Sequence, residues 1–264
     1  MNRNLHQYYY KDYFGEMPEE IIDPNDNQNQ RRINATLSWT HIKSERNKRI
    51  LQKRNTRLID KNLLYEIKRP VDTKDVFQLE ILYPGIATGI GINHEATIEG
   101  EFKLGVHFDW TYGMPVVYGS SVKGVLKSYF KDFYSPKEGQ QPTAEDAIED
   151  IFNGGKKSIY NRDVFFDAVI IQPDKKGHIL CSDSITPHGD NPLKNPVPIT
   201  FLKIAPGCKL EFRFKLVPTE IVKNGNILKI SAQEKLDIFK KILTTVGIGA
   251  KTNIGYGQLK SINE

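Results

Sequence analysis

The chain has 264 residues, 39% hydrophobic and 26% charged, so it is long enough to bury a large core as one large domain or two small ones. It contains no apolar run that would cross a bilayer and its first residues lack the apolar core of a signal peptide, so a cytoplasmic protein is expected. Cys181 and Cys208 have no C-x-x-C spacing, which argues against a disulfide scaffold or a structural zinc site and predicts two free thiols.

Positive charge is concentrated in one part of the chain. The net charge is +5, yet residues 31–69 contain twelve Lys or Arg against Glu45, Asp60 and Glu66, so this segment carries +9 and the remainder −4. A concentrated basic segment on a near-neutral body is what a surface that follows phosphates requires. The pattern fits a solvated helix face or a disordered arm equally well, and both interpretations stay open.

Residues 1–75 are predicted to form an N-terminal extension that is partly flexible and contains one basic helix. A short aromatic segment is followed by a polar run with two prolines over residues 15–32, which is typical of a loop or linker. A helical pattern begins at Ser44, a suitable N-cap, and Pro70 ends this region. The basic face of the helix holds Arg46, Arg49, Lys53 and Arg57, and its apolar face holds Leu51, Leu58 and Tyr65.

Residues 76–264 are predicted to form the folded domain, which begins with a strand over residues 76–83. Glycines after this strand suggest a bent continuation, and an irregular section rich in glycine and aromatic residues follows. A short strand then ends at Gly119. Ser120 and Ser121 mark the start of the next helix, because serine is a preferred N-cap.

The second half of this domain is predicted to contain two more helices. Thr143 and Asp146 form a capping box for a short acidic helix, and Ser231 and Glu234 form another for a helix that runs to Gly247. Strands are predicted over residues 164–171, 178–185, 198–204 and 208–217, and again after the glycine-rich loop. The order strand, helix, strands, helix, strand is the split βαβ arrangement of ferredoxin-like domains, so an α+β fold is predicted.

The sequence GIGAKTNIGYGQL, residues 247–259, lies between the last helix and the last strand. Glycine has no Cβ, so it takes positive φ and lets another backbone or a phosphodiester approach the main chain. The spacing G-x-G-(x5)-G-x-G matches neither the dinucleotide-binding pattern nor the Walker P-loop. The segment is either a set of amide donors for an anion or a simple turn.

Four segments together resemble the RAMP superfamily of CRISPR proteins. These are YGSSVKGVLKSYF (118–130), IFNGG (151–155), the series VFFDAVIIQP, ILCSDSITPH and PLKNPVPITFLKI (within 164–204), and the glycine-rich loop. The third series is similar to the branch that forms the sixth RAMP subunit of type III-B (Cmr) effectors. Tyr118 and Asn153 stand where the superfamily usually has proline and glycine. The resemblance covers residues 76–262.

This resemblance implies a ferredoxin-like (RRM-like) RAMP domain with insertions, behind the basic helical extension. It implies a non-catalytic subunit without cofactor or metal that holds the CRISPR guide RNA near its 3′ end in antiviral defence. The implied partners are that RNA and the other RAMP and small subunits of the Cmr effector, with target RNA nearby and no membrane. The residues that the resemblance assigns to RNA are Ser120, Ser121, Lys123, Gly247, Gly249, Lys251, Thr252, Asn253, Gly255 and Gly257. The charge pattern adds Arg49, Lys53 and Arg57.

Two other functions stay open. A metal-independent endoribonuclease that processes precursor CRISPR RNA would use His94, His107 or Tyr112 as general acid or base. RAMPs that cleave target RNA use an aspartate after the first strand, and Asp109 is the aspartate in that section here. An assembly adaptor would instead use the loop and the basic helix to bind acidic faces of partner proteins, without RNA. The spacing of the six histidines predicts no metal site.

Several further side chains have both a structural and a functional interpretation. The aromatic residues Trp39, Phe102, Phe108, Trp110 and Tyr112 lie in or near predicted loops, where a nucleobase can stack, although core packing is the commoner role. Asp167 and Asp183 are predicted to bond neighbouring backbone, and His188 to fix its proline-rich loop.

Overall fold

The computed structural model describes residues 4–13, 45–60, 64, 67–89, 100–136, 141–155, 157–186 and 198–262. The α-helices in these ranges are α1 (Leu5–Gln7), α2 (Glu45–Ile59), α3 (Gly119–Phe133), α4 (Ala144–Ile148) and α5 (Ala232–Val246). Helical turns of other types cover Tyr8–Asp12, Glu149–Asn153, Ile159–Asn161 and Thr252–Ile254. The strands are β1 (Asp75–Ile81), β2 (Lys103–Leu104), β3 (His107–Phe108), β4 (Pro115–Val117), β5 (Val164–Phe165), β6 (Ala168–Gln172), β7 (Leu180–Ile185), β8 (Ile199–Ile204), β9 (Lys209–Lys215), β10 (Thr219–Lys223), β11 (Asn226–Ile230) and β12 (Leu259–Ser261).

The fold is a mixed α/β architecture with largely antiparallel sheets and few helices. Along the main sheet the strand order is β12-β1-β9-β6-β4-β3, each pair antiparallel, and β5 also pairs with β9. The register places Leu79 on β1 opposite Leu210 on β9 and Ser261 on β12. Because successive side chains point to opposite faces of a strand, this register puts the apolar residues of neighbouring strands on one face.

The main hydrophobic core lies between this face of the sheet and the helices. Helices α3 and α5 pack against each other, and α5 also lies against β1 and β12. The ring of Phe239 on α5 lies 5.5 Å from that of Phe214 on β9 and 5.8 Å from that of Phe165 on β5, measured between centroids. Aromatic rings at these separations attract one another in addition to the area that they bury. The core therefore fixes where α5 ends and where the glycine-rich loop begins.

The other face of β9 carries charged side chains that hold residues 67–69 against the sheet. Arg69 donates two hydrogen bonds to the Glu211 carboxylate, at 2.9 and 2.6 Å, and Arg213 donates to the same carboxylate and to the carbonyl oxygen of Ile67. Burial alone would raise the pKa of Glu211, but hydrogen bonds from Arg69, Gln78 and Arg213 lower this pKa to about 2. A buried carboxylate paired in this way stays ionised and keeps its neighbours in place.

Both predicted capping boxes are confirmed. Thr143 Oγ1 accepts from the backbone of Asp146 while the Asp146 carboxylate accepts from the backbone of Thr143, at the start of α4. Ser231 and Glu234 make the same reciprocal pair at the start of α5, and Gly247 ends that helix. Each box satisfies two helix amides that have no intrahelical partner, which is why the sequence alone locates these two helix starts.

The predicted elements need three corrections: one strand is divided, one hairpin was missed and one helix is shorter than expected. The strand predicted over residues 164–171 is divided into β5 and β6. The interruption lies at Asp167, whose side chain accepts a hydrogen bond from the Gly119 amide at 2.7 Å. The hairpin of β10 and β11 was not predicted, although its turn is an Asn224–Gly225 pair with both φ angles positive. Helix α2 ends at Ile59, well before Pro70.

The described N-terminal residues pack into the same core as the rest of the chain. Tyr9 and Tyr13 are fully buried, and Tyr9 donates to the carbonyl oxygen of Phe102 at 2.7 Å while the Phe102 amide donates to the Tyr13 hydroxyl at 2.9 Å. Leu51 and Leu58 on α2 belong to this core as well. The domain boundary at residue 75 stays a prediction. Described residues from both sides of this boundary belong to one apolar cluster.

A second sheet supports the segment after β1. It has the order β2-β8-β7, and Ile86 exchanges backbone hydrogen bonds with Ile204 of β8 at 3.1 and 2.9 Å. The segment from Gly85 to Thr88 therefore runs beside β8 with its conformation fixed. Within the described ranges, no helix is both long and apolar enough to cross a membrane.

Candidate nucleic-acid interface

The glycine-rich loop is closed at its base by backbone hydrogen bonds. The Gly247 amide donates to the carbonyl oxygen of Leu243 at 3.1 Å and so ends α5. The Ile248 amide donates to Gly257 at 2.9 Å, and the Gly257 amide donates to Gly85 at 2.9 Å. Gly247 and Gly257 are buried, so their amides serve the protein's own structure and are not offered to a ligand.

Glycine is required at this base because other backbone atoms come too close for a side chain. Gly257 has φ +72°, and a Cβ there would overlap the carbonyl oxygen of Ile248. Gly247 has φ +75°, and a Cβ would lie 2.6 Å from the carbonyl oxygen of Gly257. Residues with a Cβ rarely adopt such φ values, so the glycine spacing is set first by the geometry of the turn. That RNA contacts these glycines themselves stays a prediction.

The tip of the loop, residues 249–253, is open to an incoming anion. Within the described part of the chain, the backbone amides of Gly249, Lys251, Thr252 and Asn253 have no protein acceptor, whereas the Ala250 amide donates to Ala87 at 2.7 Å. Lys251 adopts a left-handed conformation with φ +61°, and its side chain is exposed and forms no ion pair in the described structure. Clustered free amides beside a lysine are a common arrangement for binding phosphate.

The loop is anchored to β7 and β8 by a polar cluster of the buried Tyr256 and Lys203 and the partly exposed Asp183. Tyr256 donates to Asp183 Oδ2 at 2.7 Å, and the Lys203 ammonium pairs with the same oxygen. Burial would raise the pKa of Asp183, but hydrogen bonds from Lys203, Tyr256 and the Ser184 amide lower it. Burial and the Asp183 carboxylate raise the pKa of Tyr256 to about 12. The anchor therefore keeps a carboxylate and a neutral phenol at neutral pH.

The start of α3 differs from the prediction. The N-cap is Tyr118, which makes no side-chain capping bond, and Ser120 and Ser121 lie in the first turn, so the predicted serine cap is wrong. The Asp167 carboxylate caps the helix in place of serine, because it accepts a hydrogen bond from the Gly119 amide. This bond confirms the prediction that Asp167 bonds neighbouring backbone. A Cβ at Gly119 would overlap the carbonyl oxygen of Phe165, so glycine lets the helix approach the sheet. Ser120 is exposed; Ser121 and Lys123 are half-buried.

A continuous path of contacts joins the loop tip to the start of α3. The Ala250 amide bonds Ala87, and the neighbouring Thr88 hydroxyl accepts from the His107 amide at 2.7 Å. The His107 ring is stacked on Tyr118, with centroids 4.5 Å apart and an interplanar angle of 13°. These contacts link the glycine-rich loop to the first turn of α3, although the two segments are separated by more than a hundred residues in sequence. We call this path, with the loop tip and the first turn of α3, the candidate interface.

The candidate catalytic residues have mainly structural surroundings. Burial lowers the pKa of His107, which favours the neutral ring, and its Nδ1 has no hydrogen-bond partner in the described structure. Asp109 Oδ1 accepts from the amides of Thr111 and Tyr112 at 2.9 and 2.6 Å and so forms the turn between β3 and β4. His94 and His188 lie outside the described residues.

The basic helix α2 has the two faces that its sequence predicts. Leu51 and Leu58 are fully buried, whereas Arg49, Lys53 and Arg57 are exposed. Residues 65 and 66 and the side chain of residue 46 lie outside the described structure. An RNA-binding role for the three basic residues of α2 stays a prediction.

The predicted stacking residues divide between core and surface. Phe102 and Phe108 are buried in the core, and Tyr112 is partly exposed. Trp110 is 69% exposed and packs against His6, with ring centroids 4.4 Å apart. Trp39 lies outside the described residues.

The sequence reasoning missed Lys203, because a lysine in an apolar strand gives no sign of the carboxylate that it meets. Cys181 and Cys208 are both free thiols, as predicted. In the described ranges no cluster of His, Cys, Asp or Glu suits a metal ion.

Comparisons with known proteins agree with the motif analysis. The sequence model of the RAMP superfamily matches residues 78–260. The CRISPR system CMR subunit Cmr6 of Saccharolobus solfataricus is 30% identical over 160 residues, which are 59% of this chain and 48% of that protein, so the match spans about half of the relative.

Two solved structures are similar at lower identity. A chain of a type III-B Cmr-beta complex bound to cognate target RNA is 21% identical, with a TM-score of 0.47 and coverage of 71% of this chain and 58% of that one. Cmr6 from Pyrococcus furiosus is 17% identical, with a TM-score of 0.38 and coverage of 73% and 99%. The superfamily match includes more than half of the chain and all four motif segments. The predicted resemblance is thus confirmed, and the chain belongs to the RAMP superfamily.

Proposed function

We propose that the chain is a non-catalytic RNA-binding subunit of a type III-B CRISPR ribonucleoprotein effector. In this proposal it holds the guide RNA near its 3′ end and packs against neighbouring RAMP and small subunits, close to the target RNA, in antiviral defence. Membership of the RAMP superfamily and the similarity to a curated Cmr6 protein support the assignment to a Cmr effector. The RNA-binding part of the proposal rests on the geometry of the candidate interface.

The strand order of the main sheet supports the same proposal. We assign β1, α3, β6, β9, α5 and β12 to the six elements of a ferredoxin-like domain. The order β12-β1-β9-β6 is then 4-1-3-2 with antiparallel neighbours, as such a domain requires. We propose residues 76–264 as this domain, with the other elements as insertions, and residues 1–75 as an extension that carries the basic helix.

The observation that carries the proposal is the open tip of the glycine-rich loop. Four backbone amides between Gly249 and Asn253 have no acceptor within the described structure, and Lys251 beside them is exposed and unpaired. Such a site binds phosphate oxygens through main-chain donors, which carry no sequence information. We therefore expect RNA binding that depends strongly on salt and weakly on base sequence.

The experiment measures the affinity of the purified full-length chain for single-stranded RNA across a range of salt concentrations. Lys251→Glu should lower the affinity and reduce the slope of log affinity against log salt by about one for each phosphate that the variant no longer neutralises. Lys175→Glu, the same change at an exposed lysine between β6 and β7, is the matched control and should leave the slope unchanged. An affinity that does not vary with salt would contradict the proposal.

A second candidate function is a metal-independent endoribonuclease, and His107 is the observation that favours it. Burial lowers the pKa of His107 and so favours the neutral ring, and its buried Nδ1 has no partner in the described structure, so RNA that displaced the groups covering this nitrogen would meet a general base. Incubation of the chain with precursor CRISPR RNA in EDTA would then give discrete products, and His107→Ala would abolish them. RNA that stays intact with the unmodified chain eliminates this candidate.

The remaining alternative, an assembly adaptor that makes no RNA contact, differs in what the loop touches. Ultraviolet cross-linking of the assembled complex followed by peptide mapping should give an RNA adduct within residues 249–253. Adducts that map only to other subunits, with the loop protected by protein, would favour the adaptor.

A further inference from the structure

Tyr83 is a large aromatic side chain left in solvent beside the glycine-rich loop. It follows β1 and is 84% exposed. The Leu82 amide before it donates to the carbonyl oxygen of Gln258 at 2.9 Å, and the Pro84 ring after it lies beside Gly255. Single exposed apolar residues are common on protein surfaces, so the exposure alone assigns no role. The role follows from the groups that surround the ring.

A buried ammonium group lies near the Tyr83 ring. Lys203 is only 4% exposed, and its Nζ lies 6.0 Å from the Tyr83 centroid and 5.1 Å from the Tyr256 centroid. Asp183 fixes this ammonium through an ion pair, and the same carboxylate accepts from the Tyr256 hydroxyl. A cation within about 6 Å of a ring centroid is attracted to its π-system. The ring is thus supported from the protein side and open to solvent elsewhere.

We propose that Tyr83 is a stacking platform for an unpaired base of the RNA whose backbone the loop tip binds. This inference rests on the proposed function, because it needs a phosphate at the tip. The residue after Tyr83 is Pro84, whose Cδ would lie 3.9 Å from a Cβ at Gly255, and Gly255 is only two residues beyond Asn253. A base attached to the bound backbone therefore meets a planar surface, and tyrosine accepts any base because every base has a π-face.

The alternative place for base stacking, the open face of the sheet, is occupied. RNA-binding domains of the RRM type stack bases on aromatic side chains of their central strands. In this chain the corresponding face of β1 and β9 carries Gln78, Glu211 and Arg213, and residues 67–69 are bonded across it. Within the described structure this face thus presents charged and amide groups that are already paired. A base held near the loop has Tyr83 as its exposed aromatic partner.

The test uses fluorescence anisotropy with the purified full-length chain and two labelled probes of equal length. One probe is single-stranded oligoadenylate, and the other is an abasic ribose-phosphate oligomer, which has the phosphates but no bases. The unmodified chain should bind oligoadenylate more tightly. Tyr83→Ala should weaken that binding by about 5- to 100-fold, as expected for the loss of one stacked base, and should leave the abasic probe unaffected. Tyr83→Phe should keep the preference because the ring remains.

The matched control is Tyr160→Ala, which removes another exposed tyrosine, at 77% exposure, from the turn Ile159–Asn161. It should bind both probes as the unmodified chain does. If Tyr83→Ala binds oligoadenylate normally, Tyr83 is not a platform, while salt-dependent binding and the Lys251→Glu effect still support the proposed function. If the unmodified chain binds neither probe, the proposed function itself is overturned. If Tyr83→Ala impairs only assembly with other subunits, the ring contacts protein and the inference is wrong.

Discussion

The family resemblance assigns both the tip of the glycine-rich loop and the first turn of α3 to RNA, yet their surroundings are opposite. At α3 the Gly119 amide is taken by the Asp167 carboxylate, which adds negative charge at the positive end of the helix. At the loop tip four of the five amides from Gly249 to Asn253 have no acceptor within the described structure, the exception being that of Ala250, and Lys251 adds positive charge. Of the two, we therefore expect the loop tip to bind an anion more strongly.

A sequence motif supplies backbone donors, but the surrounding structure decides whether those donors stay free. Asp167 reaches α3 from a break between two strands, far away in sequence. At the base of the loop, Gly85 accepts the Gly257 amide and so removes one donor from a motif that looks uniform. The number of available amides therefore depends on long-range packing, and variants at the two sites can test the difference.

The largest expected effect is that of Gly257→Ala. The new Cβ would overlap the carbonyl oxygen of Ile248 at a residue with φ +72°, so both backbone strain and steric overlap oppose the native turn. We expect a loss of about 3 kcal/mol or more in the free energy of unfolding, together with loss of RNA binding. Urea unfolding followed by circular dichroism measures the first effect.

Gly225→Ala is the matched control for this prediction. Gly225 also has a positive φ, +79°, but a Cβ there would have no heavy atom within 4 Å. The substitution should therefore cost only the conformational strain, about 1–2 kcal/mol, and leave RNA binding intact. Equal destabilisation by the two variants would mean that close packing at the loop base contributes nothing.

The next largest effect is expected for Tyr256→Phe, which cuts the anchor of the loop but leaves its glycines unchanged. The variant removes a hydrogen bond to the Asp183 carboxylate, which Lys203 and the Ser184 amide still bind. We expect a loss of about 1.5–3 kcal/mol in unfolding free energy. Tyr129→Phe, on the exposed side of α3, controls for the loss of a phenol and should change the unfolding midpoint little. A midpoint for Tyr256→Phe equal to this control would contradict the anchoring role.

The sequence predicted well those features that depend on neighbouring residues. Thr143 with Asp146 and Ser231 with Glu234 locate two helix starts because both partners of each box lie within one turn. The same kind of local signal, the Asn224–Gly225 pair, could have predicted the hairpin of β10 and β11, because asparagine and glycine tolerate positive φ. That hairpin was missed although its signal was present.

Other features could not be predicted because they depend on residues distant in sequence. The strand broken at Asp167 looks continuous in sequence, since only the approach of Gly119 makes the break favourable. Tyr9 looks like part of a loose aromatic tail, yet its hydroxyl reaches the carbonyl oxygen of Phe102 and its ring is buried. At the candidate interface, spacing identified the loop but not Tyr83, whose position depends on how the segment after β1 meets the loop.

Acid should weaken the loop anchor before it affects the tip itself. The pKa of Asp183 is lowered in the folded chain, so this carboxylate stabilises the fold fully above its unfolded pKa of about 4 and loses that contribution as pH falls through the lowered folded value. Unfolding free energies measured from about pH 7 to about pH 3 should therefore fall less steeply for Asp183→Asn than for the unmodified chain. Parallel curves would show that Asp183 titrates alike in both states.

The smallest expected effect is that of Asp167→Asn. This variant tests most directly how the first turn of α3 differs from the loop tip. Asparagine keeps an oxygen that can accept from the Gly119 amide but removes the negative charge at the start of α3. If the first turn of α3 shares in phosphate binding, RNA affinity should rise by about two- to fivefold, corresponding to about 0.3–1 kcal/mol for a charge at a helix end. Fluorescence anisotropy with single-stranded RNA at low salt is the suitable measurement.

Asp237→Asn, on the exposed face of α5, removes the same charge elsewhere and isolates the effect of position from that of net charge. A rise for Asp167→Asn that this control lacks would place phosphate near Ser120 and Lys123 as well as at the loop tip. Equal affinities for the two variants would confine phosphate binding to the loop tip, because a charge next to a bound phosphate cannot be removed without changing its affinity. The contacts through Ala87, Thr88 and His107 would then hold the two segments together without forming one continuous anion site.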